Sequence, residues 1–220
     1  RRIKRQFALV DLLRFDHFRG LGGYWRINGN SKSAICGKWI KSPGRTLLKK
    51  LKNDLKVDSL PIIAEDLGVI TTDVVKLREN FKLPGMKILQ FAFDGNENNP
   101  YLPENIKGEN WVVYTGTHDN STSVSWWEYL ENDSKSRIKD KYKFSESSSW
   151  SLIEIGMGTN ANLFIAPIQD ILSLDDSSRL NEPGTTENNW KWKLNRPLEE
   201  IENNIRNFSE LGKNFGRKRN

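Results

Sequence analysis

Cysteine, histidine and methionine are scarce in this sequence, and their scarcity excludes several kinds of site. The 220 residues include one cysteine, Cys36, two histidines and two methionines. A lone cysteine cannot form a disulfide within the chain, and there is no cluster of cysteines to hold a metal. The sequence contains neither metal-ligand spacing nor a glycine-rich phosphate loop, so we predict that the protein uses no metal and no cofactor.

Long apolar runs are also missing. No stretch of about 18 apolar residues marks a membrane span, and the first residues do not form the charged and then apolar leader of a secreted protein. The chain begins at Arg1 instead of methionine, and we expect it to be cut from a longer protein, so that any targeting segment would have been lost. We predict a cytoplasmic location, or a plastid if a transit segment was lost, and no membrane partner.

The charge balance is basic, with a formal net charge of +6 and an isoelectric point near 9.3. A general positive field permits weak binding to polyanions. The lysines between 49 and 56, however, alternate with leucines at helical spacing, which is typical of the solvated face of an amphipathic helix. None of the nucleic-acid-binding motifs occurs, so we predict no nucleic-acid partner.

Apolar residues are numerous enough for a core, since 36% of the chain is hydrophobic and 10% is aromatic. Short apolar runs alternate with longer amphipathic stretches, which favours βα units with parallel strands over hairpins. There is no internal repeat and no second domain boundary, so we predict one domain. The predicted strands are 12–16, 61–65, 87–92, 111–115 and 163–168.

Helix signals lie between these apolar runs. The pair Ser42-Pro43 predicts a capped helix start, followed by leucines at helical spacing. Thr71 or Thr72 is predicted to cap a second helix. The chain is expected to fray after Gly212. Further helices are predicted over 126–130, 138–144 and 198–208, the first two separated by a polar connector.

Three acidic residues, Asp16, Glu65 and Asp119, fall at or just after the carboxyl end of a predicted strand. An acid at such a position can simply cap the next helix. In a (β/α)8 barrel, however, the active site is built at this face from the ends of several strands. Three acids so placed, each in a distinctive local sequence, favour an active site made of carboxylates.

Asp16 and Glu65 have contrasting surroundings. Arg14 and Asp16 share one face of a strand because side chains alternate with a period of two, so the guanidinium can hold the carboxylate ionised for nucleophilic attack. The alternative is a purely structural Arg–Asp pair. Glu65 ends an apolar strand and would be partly desolvated, which suits a general acid. The side chains of Glu65 and Asp66 should point in opposite directions.

Asp119 lies in a polar, glycine-containing segment at 115–120. His118 and Asp119 together can form hydrogen bonds to a sugar ring, and these bonds strengthen as the ring distorts towards an oxocarbenium ion. A lone histidine is more often structural than functional. Of the two histidines, we select His118 as a candidate site residue because it is predicted to bond to Asp119.

Several segments together are similar to glycoside hydrolase family seventy-seven, the 4-α-glucanotransferases, which include amylomaltases and plant-type disproportionating enzymes. The resemblance covers nearly the whole chain. Its segments are RFDHFRG at 14–20, AEDLG at 64–68, LPGMKILQF at 83–91, NPYLP at 99–103, YTGTHDN at 114–120, RLNEPG at 179–184 and WKW at 190–192.

This resemblance implies a fold and a set of roles. The α/β fold would be a partial (β/α)8 TIM barrel, approximately strands four to eight with their helices. Residues 1–220 would be the carboxyl-terminal part of a single catalytic domain whose amino-terminal strands are missing. Asp16 would be the nucleophile, Glu65 the general acid/base and Asp119 the transition-state stabiliser. The substrate-binding residues would be Arg14, His118 and Asn181.

The resemblance also implies an activity in starch and glycogen metabolism. The enzyme would move a glucan segment from a donor maltooligosaccharide to the 4-hydroxyl of an acceptor by a retaining double displacement. Its partners would be maltooligosaccharides, α-1,4-glucans and the missing amino-terminal part of the same barrel. Two alternatives are a catalytically silent glucan-binding fragment and a net α-1,4-glucan hydrolase. Because open strand edges would remain, we expect the 220 residues alone to be a poor catalyst.

Overall fold

The computed structural model describes residues 1–145 and 147–217, over which helices and strands are mixed along the chain. The strands are β1 (Leu13–Phe15), β2 (Gly23–Ile27), β3 (Gly37–Lys41), β4 (Ile62–Ala64), β5 (Gly85–Ile88), β6 (Trp111–Tyr114) and β7 (Leu163–Ile165). The helices are α1 (Arg2–Gln6), α2 (Gly44–Leu55), α3 (Thr72–Asn80), α4 (Ser123–Tyr129), α5 (Asn132–Tyr142), α6 (Ser148–Met157), α7 (Ile168–Ile171) and α8 (Leu198–Asn214). Within this described part, none of the helices is both long and apolar enough to span a membrane.

The chain divides into two compact units. Unit 1 contains Arg1–Met86 and Asn110–Val112, and unit 2 contains Lys87–Glu109 and the described residues from Val113 onward. The first two predicted strands, 12–16 and 61–65, pair with each other in unit 1.

Unit 1 is built on the parallel pair of strands β1 and β4, with Phe15 opposite Ala64. Strand β4 is buried along its whole length, as predicted for a strand covered on both faces. The parallel pairing of these two strands confirms the prediction from their apolar runs. Their core is completed by residues of α2, α3 and the short 3-10 helix after β1. The buried cluster consists of Phe18, Leu21, Leu48, Leu51, Leu60, Ile62, Ala64, Val74, Leu77 and Leu83.

Unit 1 also contains an antiparallel hairpin, β2 and β3, so the expectation of parallel strands without hairpins is wrong here. Neither strand has a fully buried residue. Exposed strands do not need a run of apolar residues, so the sequence pattern that predicted the other strands is missing here. The cross-strand partners Trp25 and Trp39 stabilise the hairpin, with ring centroids 5.6 Å apart.

The core of unit 2 surrounds α6, which contacts α4, α7 and α8. Leu152 and Ile153 of this helix are fully buried, and Gly156 lies directly against the ring of Phe164 in β7. We did not predict α6, because its first turn is rich in serine and resembles a connector. The predicted connector between 130 and 138 is helical as well and belongs to α5.

The third sheet has the strand order β5-β6-β7, and two of its strands differ from the prediction. Strand β5 begins at Gly85 and not at 87, and Leu89–Phe91 forms a turn of 3-10 helix instead of continuing it. Strand β7 ends at Ile165, and α7 begins at Ile168 directly after Pro167. Proline has no amide hydrogen for the ladder, which explains why the strand does not continue.

The predicted cap of α2 is wrong, and the predicted cap of α3 is confirmed in its position but not in its hydrogen bond. Pro43 occupies the cap position of α2 without a side-chain hydrogen bond, so Ser42 is not the cap. The helix begins at Gly44, whose position against the backbone carbonyl of Leu21 leaves no room for a side chain. Thr71 does precede α3, but its side chain makes no capping bond either.

The last helix, α8, extends to Asn214, well past the predicted end. The chain is also held beyond Gly212. The guanidinium of Arg217 donates to the carbonyl of Met157, the last residue of α6, at 2.9 Å and to that of Ala161, which follows the helix, at 2.8 Å. Fraying after Gly212 is therefore not observed up to residue 217.

Candidate active site

Asp16 and Glu65 are the residues that follow the paired strands β1 and β4 in unit 1. The backbone pairing continues past the strands, since the Glu65 N–H donates to the Phe15 carbonyl at 3.1 Å. The Phe18 N–H donates in turn to the Glu65 carbonyl at 3.0 Å. These hydrogen bonds fix the two acids on neighbouring segments at the carboxyl ends of parallel strands.

Two backbone amides hold the Glu65 carboxylate. Its Oε2 accepts a hydrogen bond from the His17 N–H at 2.6 Å, and its Oε1 accepts one from the Leu67 N–H at 3.1 Å. His17 presents its N–H from a left-handed backbone conformation, φ 51° and ψ 56°. That conformation costs an L-residue about 1–2 kcal/mol, and such strain clusters at functional sites. The residue after Asp16 thus orients the carboxylate of Glu65.

Arg14 and Asp16 form the contact that the strand periodicity predicts. Arg14 Nη1 lies 2.9 Å from Asp16 Oδ1. The same guanidinium contacts Met86 Sδ through Nε at 3.4 Å, so it is held from two sides. The Asp16 side chain is 76% exposed. A carboxylate that is open to solvent and anchored by a cation is available to attack a bound ligand.

Asp66 faces partners different from those of Glu65, as the alternation of side chains predicts. Its Oδ1 accepts a hydrogen bond from the Met86 N–H at 2.8 Å. Its Oδ2 lies 3.1 Å from Arg78 Nε, in a nearly buried ion pair that lacks an aligned hydrogen bond at Nε. The Arg78 guanidinium also lies over the ring of Trp111, 4.5 Å from its centroid. Asp66 therefore joins β4 to β5 and α3 rather than facing solvent.

The second group of predicted residues follows β6 in unit 2. His118 Nε2 lies 3.3 Å from Asp119 Oδ2, and Asn181 Nδ2 donates to Asp119 Oδ1 at 2.6 Å. Both carboxylate oxygens of Asp119 thus have a partner. The turn is also stabilised internally, because Asn120 Oδ1 accepts from the Thr117 N–H and hydroxyl at 2.8 and 2.9 Å.

Trp190 extends this group. Its ring centroid lies 5.1 Å from that of His118, and its backbone N–H donates to the Leu180 carbonyl at 2.6 Å. Trp190 is 62% exposed. An exposed indole next to polar groups offers an apolar face for packing against a ligand.

A polar pocket of about 650 Å³ lies beside Asn181 in unit 2. Its lining includes the polar residues Ser121, Thr185, Asn181, Asn188 and Asn189 and the acids Asp176, Glu182 and Glu187. The volume lies within the range of ligand-binding pockets. Hydroxyl and amide groups in such number suit a ligand that carries many hydroxyl groups.

The predicted site residues are divided between the units. Unit 1 contains Arg14, Asp16 and Glu65, and unit 2 contains His118, Asp119 and Asn181. Within each unit, the predicted site residues lie close to one another in space. In the described part of the chain, no group of three or more His, Cys, Asp or Glu side chains is arranged to hold a metal ion.

Sequence reasoning did not select Arg179 and Trp190 as individual site residues. Both lie in segments that carry the family resemblance, and Arg179 stands two residues before Asn181. Arg179 Nη2 donates to the backbone carbonyl of Asp119 at 2.7 Å. The proximity to Asn181 in the sequence was the signal that could have identified Arg179.

Comparison with solved structures identifies the class of fold. The chain matches an amylomaltase from Streptococcus agalactiae, solved in complex with acarbose, with a TM-score of 0.91 and 32% identity, covering 99% of this chain and 44% of that one. An amylomaltase from Corynebacterium glutamicum matches with a TM-score of 0.65 and 17% identity, covering 94% of this chain and 35% of that one, which shows a shared fold. The molecule has the mixed α/β fold of the amylomaltases.

Comparison of sequences identifies the family. A family model described as 4-alpha-glucanotransferase matches residues 1–199. A 4-alpha-glucanotransferase of Synechocystis sp. is 44% identical, covering 88% of this chain and 38% of the relative. One from Thermus thermophilus is 41% identical, covering 88% and 40%. This chain belongs to the 4-alpha-glucanotransferase family, and it spans about two fifths of the length of these relatives.

Proposed function

We propose that this chain supplies the three active-site carboxylates of an enzyme that transfers segments of α-1,4-glucan, with Asp16 as nucleophile, Glu65 as general acid/base and Asp119 as transition-state stabiliser. The observation that carries the proposal is the coupling of Asp16 and Glu65. The two acids follow paired parallel strands, and the residue after Asp16 donates directly to the Glu65 carboxylate.

In the first step, an Asp16 oxygen attacks the anomeric carbon of the donor glucan. The bond from that carbon to the leaving oxygen breaks, and Glu65 gives its proton to this oxygen. A retaining mechanism places the two carboxyl groups about 5–5.5 Å apart. Arg14 supports the step by holding the Asp16 carboxylate in place.

In the second step, the 4-hydroxyl of an acceptor glucan attacks the same carbon and releases Asp16. The Glu65 carboxylate accepts the proton of this hydroxyl and is ready for the next cycle. Two inversions at the anomeric carbon leave an α-linkage. Transfer requires that the acceptor sugar replaces water at this stage.

Asp119, with His118 and Asn181, is assigned to binding the donor sugar at the reacting ring. The partners on both of its carboxylate oxygens orient it. Hydrogen bonds from such a group to sugar hydroxyls strengthen as the ring approaches the oxocarbenium-like transition state. The exposed ring of Trp190 suits packing against a sugar face.

The same proposal assigns the chain to part of a (β/α)8 barrel. Strands β1, β4, β5, β6 and β7 would be approximately barrel strands four to eight, and residues 1–220 would belong to one catalytic domain. The remaining strands would come from the amino-terminal part of the natural protein. The parallel β1–β4 pair with acids at its carboxyl end supports this assignment.

The names of the relatives support a proposal for the substrates and the location. An amylomaltase relative was solved with acarbose, and a relative of Arabidopsis thaliana is named as chloroplastic/amyloplastic. We assign maltooligosaccharides and α-1,4-glucans as substrates. The proposed compartment is the cytoplasm, or the plastid if the natural protein carries a transit segment.

The test is maltotriose disproportionation by the complete natural protein. Glucose together with longer oligosaccharides supports transfer, whereas reducing sugar without longer products would make the protein a hydrolase. Asp16→Asn should abolish turnover and leave maltooligosaccharide binding intact, while Asp133→Asn, at an exposed acid of α5, should leave turnover unchanged. Binding without any turnover by the wild type would indicate a silent glucan-binding protein. The same assay on residues 1–220 alone tests whether this part is a poor catalyst.

A further inference from the structure

The turn that carries Asp119 is fixed at both ends by a buried carboxylate. Asp170, which is 1% exposed, accepts a hydrogen bond from the Thr115 hydroxyl at 2.5 Å, where the turn leaves β6. It also accepts bonds from the Ser123 N–H and hydroxyl, both at 2.7 Å, where the turn enters α4. These bonds hold the ends of the turn but do not reach its centre, where Asp119 lies.

Arg179 holds the centre of the turn. Its Nη2 donates to the Asp119 carbonyl at 2.7 Å, and its Nη1 donates to the Ser121 hydroxyl at 3.4 Å. Its Nε donates to the Asn181 carbonyl at 2.9 Å. The Asp176 carboxylate, 4.0 Å from Nη1, balances the charge. One guanidinium therefore joins the segment of the carboxylate to the segment of the amide that binds it.

The choice of acceptors matters for the chemistry. Arg179 donates to the carbonyl oxygen of Asp119, whereas the carboxylate oxygens are in contact with Asn181 and His118. The cation fixes the backbone without forming a direct ion pair with the carboxylate. The Asp119 carboxylate thus stays available for a ligand, while the bond from Arg179 to the Asp119 backbone carbonyl sets its position.

We propose that Arg179 is the positioning residue of Asp119, acting through the backbone and through Asn181. The proposal rests on the proposed function of Asp119. All three guanidinium nitrogens reach acceptors, three in number and on two segments, which the single ammonium of lysine cannot reproduce. The competing view is that Arg179 only stabilises the fold, and the two views predict different kinetics.

The kinetic test compares Arg179→Lys with wild type in the complete natural protein, using maltotriose. A small displacement of a catalytic group can cost about 100-fold, so kcat should fall by about that factor while KM changes less than about threefold. Arg206→Lys is the matched control. Arg206 is exposed, and its ion pair is with Glu202, one turn away on the same helix, at 2.8 Å. That variant should retain wild-type kcat.

The proposal is overturned if Arg179→Lys keeps wild-type kcat, or if its loss of kcat equals its loss of folded protein measured by thermal unfolding. Arg179→Ala serves as a second variant in the same measurements and should be at least as impaired per folded molecule.

A second measurement does not depend on transfer activity. Amides of Thr117, Asp119 and Asn120 are bonded within the turn, so their hydrogen exchange reports its order. In Arg179→Lys, exchange should accelerate at these amides and not in α6. Unchanged exchange would overturn the positioning role even if the wild type proved inactive, whereas an inactive wild type with accelerated exchange in the variant would refute the proposed function alone.

Discussion

The hydrogen bond from the His17 N–H to Glu65 gives the sharpest functional prediction. The bond depends on the left-handed backbone at His17, and the imidazole takes no part in it. Replacing His17 by valine should disrupt this conformation, because a β-branched side chain clashes most strongly there. Replacing it by glycine or asparagine should preserve the conformation, since both residues adopt it readily.

The size of the effect follows from the geometry. An N–H donor 2.6 Å from a carboxylate oxygen makes a hydrogen bond to a charged group, which typically contributes about 1.5–3 kcal/mol. If about 2 kcal/mol of this orientation is lost in the transition state, kcat falls by about 30-fold, because each 1.36 kcal/mol is a factor of ten. KM for maltotriose should change little.

The assay is steady-state maltotriose disproportionation by the complete natural protein and its His17→Val, His17→Gly and His17→Asn variants. The glycine and asparagine variants should stay within about threefold of wild-type kcat if the backbone donor is what matters. Equal losses in all three variants would show that the imidazole carries the role and would refute the reasoning. Circular dichroism on each variant excludes loss of folding as the cause.

Two further predictions concern stability and are tested by urea unfolding. Burial raises the pKa of Asp170 above its ordinary value of 3.8, so the folded state binds this proton more tightly, and the free energy of unfolding should decline as pH rises from that value to the folded pKa. Asp170→Asn should flatten this decline, and an unaltered slope would contradict the assignment. An alanine methyl at Gly156 would overlap the ring of Phe164, so Gly156→Ala should lower the free energy of unfolding by about 1–3 kcal/mol. Gly29→Ala, where the added methyl meets no atom within 4 Å, is the control, and equal stability of the two variants would show that the ring moves aside freely.

Several features of the fold and the candidate site could be predicted from local patterns. The apolar run that ends at Glu65 marked a buried strand, and its pairing with the strand before Asp16 is observed. The alternation of side chains placed Arg14 beside Asp16 and separated Glu65 from Asp66. Each of these predictions depends on residues a few positions apart, whose relation is set by strand geometry.

Other features could not be predicted because their signal is not periodic. The hairpin of β2 and β3 has exposed strands, so it has no apolar pattern, and its cross-strand contact between Trp25 and Trp39 depends on the register. Helix α6 begins with serines whose burial follows from packing alone.

The sequence by itself determined which residues are candidates for the chemistry and at which strand ends they stand, because strand periodicity and strand ends are local properties of the chain. The tertiary structure decided which groups hold them. Asn181 meets Asp119 across 62 positions, Arg179 reaches the same turn, and the His17 amide binds Glu65 across 48. Such partners are brought together only when burial of the apolar core folds distant segments onto each other, and no pattern within one segment encodes that choice.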